Sequence, residues 1–198
     1  MSIPFVGLTG GLGAGKSEAL RALADLGAAT LSTDGVVHEL LAAEELRDLV
    51  VERLGAEVAP GGALDRTLVA ERVFGDDAAR TWLEGMLWPL VGERVARWRA
   101  ELESTDPPPR AAVVEVPLLF ESGMDAVFDA TIAVIAPESL RKERAAARGH
   151  ASLAERSGRQ LSQEEKAARA NFTVRNDGSL EDLQAALADV LAKLDDTP

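Results

Sequence analysis

Four glycines, a lysine and a hydroxyl side chain stand together near the start of the chain, in the run Gly10-Gly11-Leu12-Gly13-Ala14-Gly15-Lys16-Ser17. The spacing is G-x-x-x-x-G-K-[ST], and each residue type has a chemical reason to be there. Glycines let consecutive main-chain N–H groups turn inward around a phosphate, where side chains would clash. A helix that starts at the end of such a loop adds the positive end of its dipole. Lys16 supplies one point charge for the β- and γ-phosphates, and Ser17 supplies a hydroxyl for Mg²⁺. The run therefore predicts a site for a nucleoside triphosphate, with Gly11, Gly13, Ala14, Gly15, Lys16, Ser17 and Glu18 around it.

Other residues extend this chemistry. Asp34 follows an apolar stretch and can accept a proton from an attacking hydroxyl, hold Mg²⁺ through water, or cap a helix. Glu115 closes the run Val113-Val114-Glu115; it is either an acid near metal or substrate, or a strand-end acid facing water. Arg141, Arg144 and Arg148 recur at i, i+3 and i+7, so one helical face carries three guanidiniums. Their planar forks match the charge on a phosphoryl group in transfer, and Arg144 and Arg148 are the chosen catalytic pair. The same face could instead be solvated and paired with Glu138 and Glu143. Trp82, Trp88 and Trp98 read as core residues of a helical region, although Trp88 could instead stack on an adenine ring.

The elements that must hold these groups follow from periodicity. Short apolar runs at 3–8, 28–31, 111–116, 131–135 and 172–174 read as strands. Helical patterns at 15–26, through Leu41, at 77–103, after Pro137 and at 179–194 alternate with them. Alternation of this kind predicts an α/β fold with a five-stranded parallel sheet and flanking helices. The stretch 44–109 carries helical pattern without a strand, and 137–169 is rich in arginine. One domain is expected: core 1–43, 110–136 and 170–198, a helical acceptor-binding insertion at about 44–109, and a lid at about 137–169.

Bulk properties narrow the class. The 198 residues carry a net charge of −12, which repels nucleic acid. Yet nine basic residues face five acidic ones between Glu138 and Arg175, a local reversal that suits a bound polyphosphate. No apolar run is long enough to span a bilayer, the N-terminus lacks a basic leader, and cysteine is absent. A cytoplasmic protein, monomeric by preference, with small-molecule partners and no membrane or nucleic-acid partner, is expected. GTPase switch motifs and a transporter signature with its acidic strand are missing; the size, the helical insertion and the late arginine cluster fit a small-molecule kinase.

Several segments together resemble the dephospho-coenzyme A kinase family. They are Val6-Gly7-Leu8-Thr9 leading into the glycine run, Asp34, Val116-Pro117-Leu118-Leu119-Phe120-Glu121-Ser122-Gly123, the pair Arg144 and Arg148, and Asn176-Asp177-Gly178-Ser179. The resemblance spans about 6–183 and implies ATP-dependent phosphorylation of a ribose 3′-hydroxyl on dephospho-coenzyme A, with Mg²⁺. It implies Asp34 as the base, Pro117, Leu118 and Leu119 with Glu115 at the acceptor, and Asn176 and Gly178 at the adenine; Glu121 reads as a surface acid or a substrate contact. Two departures stand out: Trp88-Pro89 replaces a His-Pro pair, and Ser32 replaces the first aspartate of a D-A-D stretch. Another small-molecule kinase, with Arg94, Arg97 and Arg99 gripping a monophosphate, and a non-catalytic ATP-binding module are the alternatives.

Overall fold

The computed structural model of the chain describes residues 3–147 and 160–195. Arg148 and the middle of the expected lid lie outside the described residues. Two compact units result: Met1–Ser32 with Arg99–Pro198, and Thr33–Trp98.

The first unit is a sheet of five parallel strands, β1 (Phe5–Gly10), β2 (Ala29–Ser32), β3 (Ala112–Glu115), β4 (Ala130–Ile135) and β5 (Phe172–Arg175). Their order is β2-β3-β1-β4-β5. β1 is central, and the chain leaves it toward one edge and later builds the other. The crevice beyond the carboxyl end of β1 is thus a topological switch point, where open α/β sheets place their ligands.

β1 is wholly buried, and its alternation decides what each face carries. Val6 and Leu8 join Ile132, Val134 and Val113 under α1 (Lys16–Asp25) and the C-terminal helix Leu180–Asp195. That helix contributes Leu183, Leu187 and Leu191, each at most 1% exposed. Truncating any of them to alanine would cost about 2–5 kcal/mol, so this layer fixes where α1 starts. Gly7 and Thr9 turn to the opposite face. A side chain at Gly7 would collide with Leu119 and Phe128, so glycine lets the segment after β3 pack directly on the strand.

The second unit is helical: α2 (Thr33–Ala42), α3 (Glu44–Leu54), α4 (Arg66–Phe74) and most of α5 (Asp77–Leu102). Leu41, Val50, Leu54, Val58, Val69, Ala79 and Leu87 form its core. Asp65 caps α4 through Thr67 N–H and Leu68 N–H. Trp82 packs against this core with the Arg53 guanidinium 5.9 Å from its ring centroid. Trp88, expected in the core, is instead 55% exposed, because Leu87 and Val91 take the buried face of α5 and leave residue 88 outside it.

Among the described residues the remaining α-helices of the first unit are α6 (Glu138–Ala147), α7 (Gln163–Arg169) and α8, the C-terminal helix already described. A capping box between Ser162 and Glu165 starts α7, which packs across β4 and β1.

Candidate functional site

The glycine run follows β1 as a tight loop into α1. Gly13 and Gly15 sit at φ 76° and 97°, a region L side chains avoid. The loop is crowded from outside as well. A Cβ at Gly13 would strike the Arg141 main chain, and one at Gly15 would strike the Asn176 amide. Ala14 N–H donates to Gly11 O at 3.1 Å, closing the turn. Gly15 caps α1 with no side-chain hydrogen bond, so no side chain competes for the first N–H groups of the helix.

Three side chains from distant elements converge on this loop. Arg141, on α6, donates Nε–H to Leu12 O at 3.0 Å. Arg144, one turn later, donates from Nη1 to Asn176 O at 3.1 Å. Asn176, just past β5 and 6% exposed, donates Nδ2–H to Ala14 O at 3.0 Å. Its own N–H reaches Ile135 O at 2.8 Å. The residue expected at the adenine thus spends its amide on the loop itself. Arg141, passed over for Arg144 and Arg148 in the sequence reading, hydrogen-bonds the loop main chain directly.

Lys16 Nζ lies 3.4 Å from Gly11 O, a long contact easily exchanged for a phosphate oxygen. Ser17 is exposed on the first turn of α1. Glu18 beside it has both polar groups engaged: its N–H donates to Gly15 O, and its carboxylate accepts from Arg21. Gly178 precedes Ser179 and Asp182, whose mutual hydrogen bonds start α8, and a Cβ at Gly178 would crowd the Asp182 carboxylate.

Glu115 does not face water. It is 7% exposed, lies between Leu8 and Ser32 in the sheet register, and its Oε2 accepts from Ser32 Oγ at 2.9 Å. An aspartate at position 32 would set a second carboxylate against it, so serine is the compatible residue. Asp34, in the first turn of α2, is exposed, and among the described residues its carboxylate makes no capping hydrogen bond.

After β3 the chain turns through Pro117 and Leu118, both half-buried. Leu119 was expected at the acceptor, yet it is 0% exposed against Gly7 and serves packing. Glu121 is likewise no surface acid. Its Oε1 pairs with Lys166 Nζ at 2.9 Å and accepts Leu161 N–H at 2.8 Å. Lys166 is 0% exposed, and removing one partner of so buried a pair would cost about 3–5 kcal/mol. Sequence reasoning passed over this lysine, which sits on a short polar helix and carries no local signal of burial.

Arg99 answers the question of a monophosphate grip. Its guanidinium lies 4.3 Å from the Phe5 ring centroid and 3.8 Å from the Asp129 carboxylate. Phe5 opens β1, so Arg99 is at the amino end of the sheet, roughly 16 Å of strand away from the loop.

A sequence model described as dephospho-CoA kinase matches residues 4–182. A dephospho-CoA kinase of Protochlamydia amoebophila is 38% identical over 194 residues, covering 96% of this chain and 95% of its own. A solved Thermus thermophilus protein superposes with a TM-score of 0.81 at 34% identity, over 98% of this chain and 99% of that one. A solved dephospho-CoA kinase from Campylobacter jejuni superposes with a TM-score of 0.68 at 26% identity, over 96% of each chain.

Proposed function

Because the chain belongs to the dephospho-CoA kinase family, an ATP-dependent phosphotransferase family, we propose how its residues divide that reaction. The observation that carries the reading is the convergence of Arg141, Arg144 and Asn176 on the loop of Gly11, Gly13 and Gly15. The loop N–H groups and Lys16 hold the β- and γ-phosphates of ATP. Arg141 and Arg144 face the charge that accumulates on the equatorial oxygens during transfer, where a fixed guanidinium needs no reorganisation. Asn176 holds the loop in shape, and Gly178 leaves room for the helix start behind it.

Asp34 receives the proton of the ribose 3′-hydroxyl as that oxygen bonds to the γ-phosphorus. The bond from phosphorus to the bridging oxygen breaks, and the electron pair leaves with ADP. Pro117 and Leu118 line the acceptor side. Glu115 orients groups at the carboxyl end of β3 through its buried carboxylate.

Mg²⁺ fits the donors present. Ser17 offers an exposed hydroxyl and Glu115 a carboxylate, both hard oxygen ligands. Among the described residues no group of three or more His, Asp or Glu side chains could cage a metal. That suits an ion taking most of its ligands from phosphates and water. Ser17 would hold the ion, which would supply positive charge against that of the phosphates during transfer.

Among the described residues no helix is long and apolar enough to cross a membrane, and a chain free of cysteine suits the reducing cytoplasm we assign to it. The test is ADP release with dephospho-coenzyme A, AMP, UMP and shikimate in parallel. Turnover on dephospho-coenzyme A alone is expected; faster turnover on a nucleoside monophosphate would overturn the acceptor.

A further inference from the structure

We propose that Lys166 is a positioning residue that locks the acceptor turn to the nucleotide loop, setting acceptor affinity and alignment without touching either substrate. The inference rests on the assignment of Pro117 and Leu118 to the acceptor. Lys166 is 0% exposed on α7, against the sheet face opposite α1 and α8. Its ammonium has three protons and meets three acceptors: Pro117 O at 2.6 Å, Glu121 Oε1 at 2.9 Å and Thr9 Oγ1 at 3.4 Å. Thr9 Oγ1 in turn donates to Pro117 O at 3.3 Å.

The placement of these acceptors matters more than their number. Thr9 is buried one residue before the glycine run begins. Pro117 is the first residue beyond Val116, whose N–H makes the ladder bond to Leu8 O at 2.8 Å. Past that bond the ladder holds nothing, and proline has no N–H to offer. The carbonyl is therefore the main-chain handle at position 117, and it is held by Lys166 and Thr9 together. Glu121, four residues on, fixes the far end of the same turn to the same ammonium. If Lys166 only filled space, an apolar chain of similar volume would serve at least as well, since burying a charge pair is costly. What an apolar chain cannot do is tie the end of β1 to the turn after β3. Phosphoryl transfer is sensitive to that tie, because misplacing a reacting group by about 1 Å costs on the order of a hundredfold in rate.

The test uses Lys166→Met combined with Glu121→Gln, which removes both buried charges and so keeps the fold, measured against Glu121→Gln alone. Thr9→Val, which leaves the ion pair in place, is a second probe of the Pro117 carbonyl. Readouts are KM for dephospho-coenzyme A, kcat, Kd for an unreactive ATP analogue, and Tm. The double variant should keep its Tm near that of the parent protein and above that of Glu121→Gln, which leaves the buried lysine without its carboxylate. Its acceptor KM should rise at least about fivefold and its kcat fall about tenfold or more, with the analogue Kd within about twofold. Thr9→Val should shift acceptor KM the same way by about two- to threefold. An acceptor KM unmoved in both overturns the proposal, as does a loss of analogue binding equal to the loss of acceptor binding. Leu118→Ala separates the premise from the inference. If it raises acceptor KM while the double variant does not, Lys166 alone is misassigned. If Leu118→Ala leaves KM unmoved, the turn is not at the acceptor and the proposed route falls with it.

Discussion

Asn176 donates its side-chain amide to the carbonyl of Ala14 at 3.0 Å, joining residues 162 positions apart across the mouth of the phosphate loop. Its own carbonyl accepts from Arg144, so one buried residue connects the loop, β5 and α6. The glycine at position 15 is needed partly because this amide occupies the space a side chain would fill.

Asn176→Ala should therefore weaken ATP-analogue binding by roughly three- to tenfold, the equivalent of one net hydrogen bond of about 0.5–1.5 kcal/mol. Asn176→Asp should be worse, since it turns an acceptor toward an acceptor. Calorimetric titration distinguishes the two; equal affinity in all three proteins would show that the bond does not shape the loop.

Lys16→Ala should lower kcat by at least about a hundredfold, the scale expected when one donor to a developing anion is lost. Circular dichroism should show an intact fold. Near-normal turnover would mean that ATP is not held by this loop.

Asp34→Asn should lower kcat by about 10²–10⁴, the range of a positioned base, while ATP-analogue affinity stays nearly constant. Tm should also hold, because the Asp34 carboxylate makes no capping hydrogen bond among the described residues. Normal turnover would move the base elsewhere, with Glu115 the first place to look. Collapse of Mg²⁺-dependent ATP binding would place Asp34 at the metal instead.

The helical unit should lose stability in acid through Asp76. Asp76 accepts Ala79 N–H and Ala78 N–H at 2.9 Å each, and these bonds, the first above all, hold its carboxyl below the ordinary aspartate value. A depressed folded pKa gives stability that is full above the unfolded value of about 4 and is lost as pH falls through the folded one. Asp76→Ala should thus lower Tm at pH 7, with the gap to the parent protein closing in acid. A gap independent of pH between 7 and about 2 would exclude the carboxylate as its cause.

What the sequence determined by itself was whatever a few neighbouring residues can specify. Gly10 through Ser17 encode a phosphate loop because φ > 0 at Gly13 and Gly15 and a helix start at Lys16 are properties of adjacent residues. The five strands were legible because period and composition act over four to six residues, as in Ala112–Glu115 and Ala130–Ile135. Tertiary structure alone decided the strand order β2-β3-β1-β4-β5, the burial of Glu115 against Ser32, and the hydrogen bond from the Asn176 amide to Ala14. It also decided that Arg141 reaches Leu12, that Trp88 lies outside the core, and that Lys166 is buried between Thr9, Pro117 and Glu121. The physical reason is the same in each case. A side chain's partner is set by which elements pack together: Lys166 meets Pro117 49 residues away and Thr9 157 away, and Asn176 meets Ala14 162 away, beyond the reach of any local pattern.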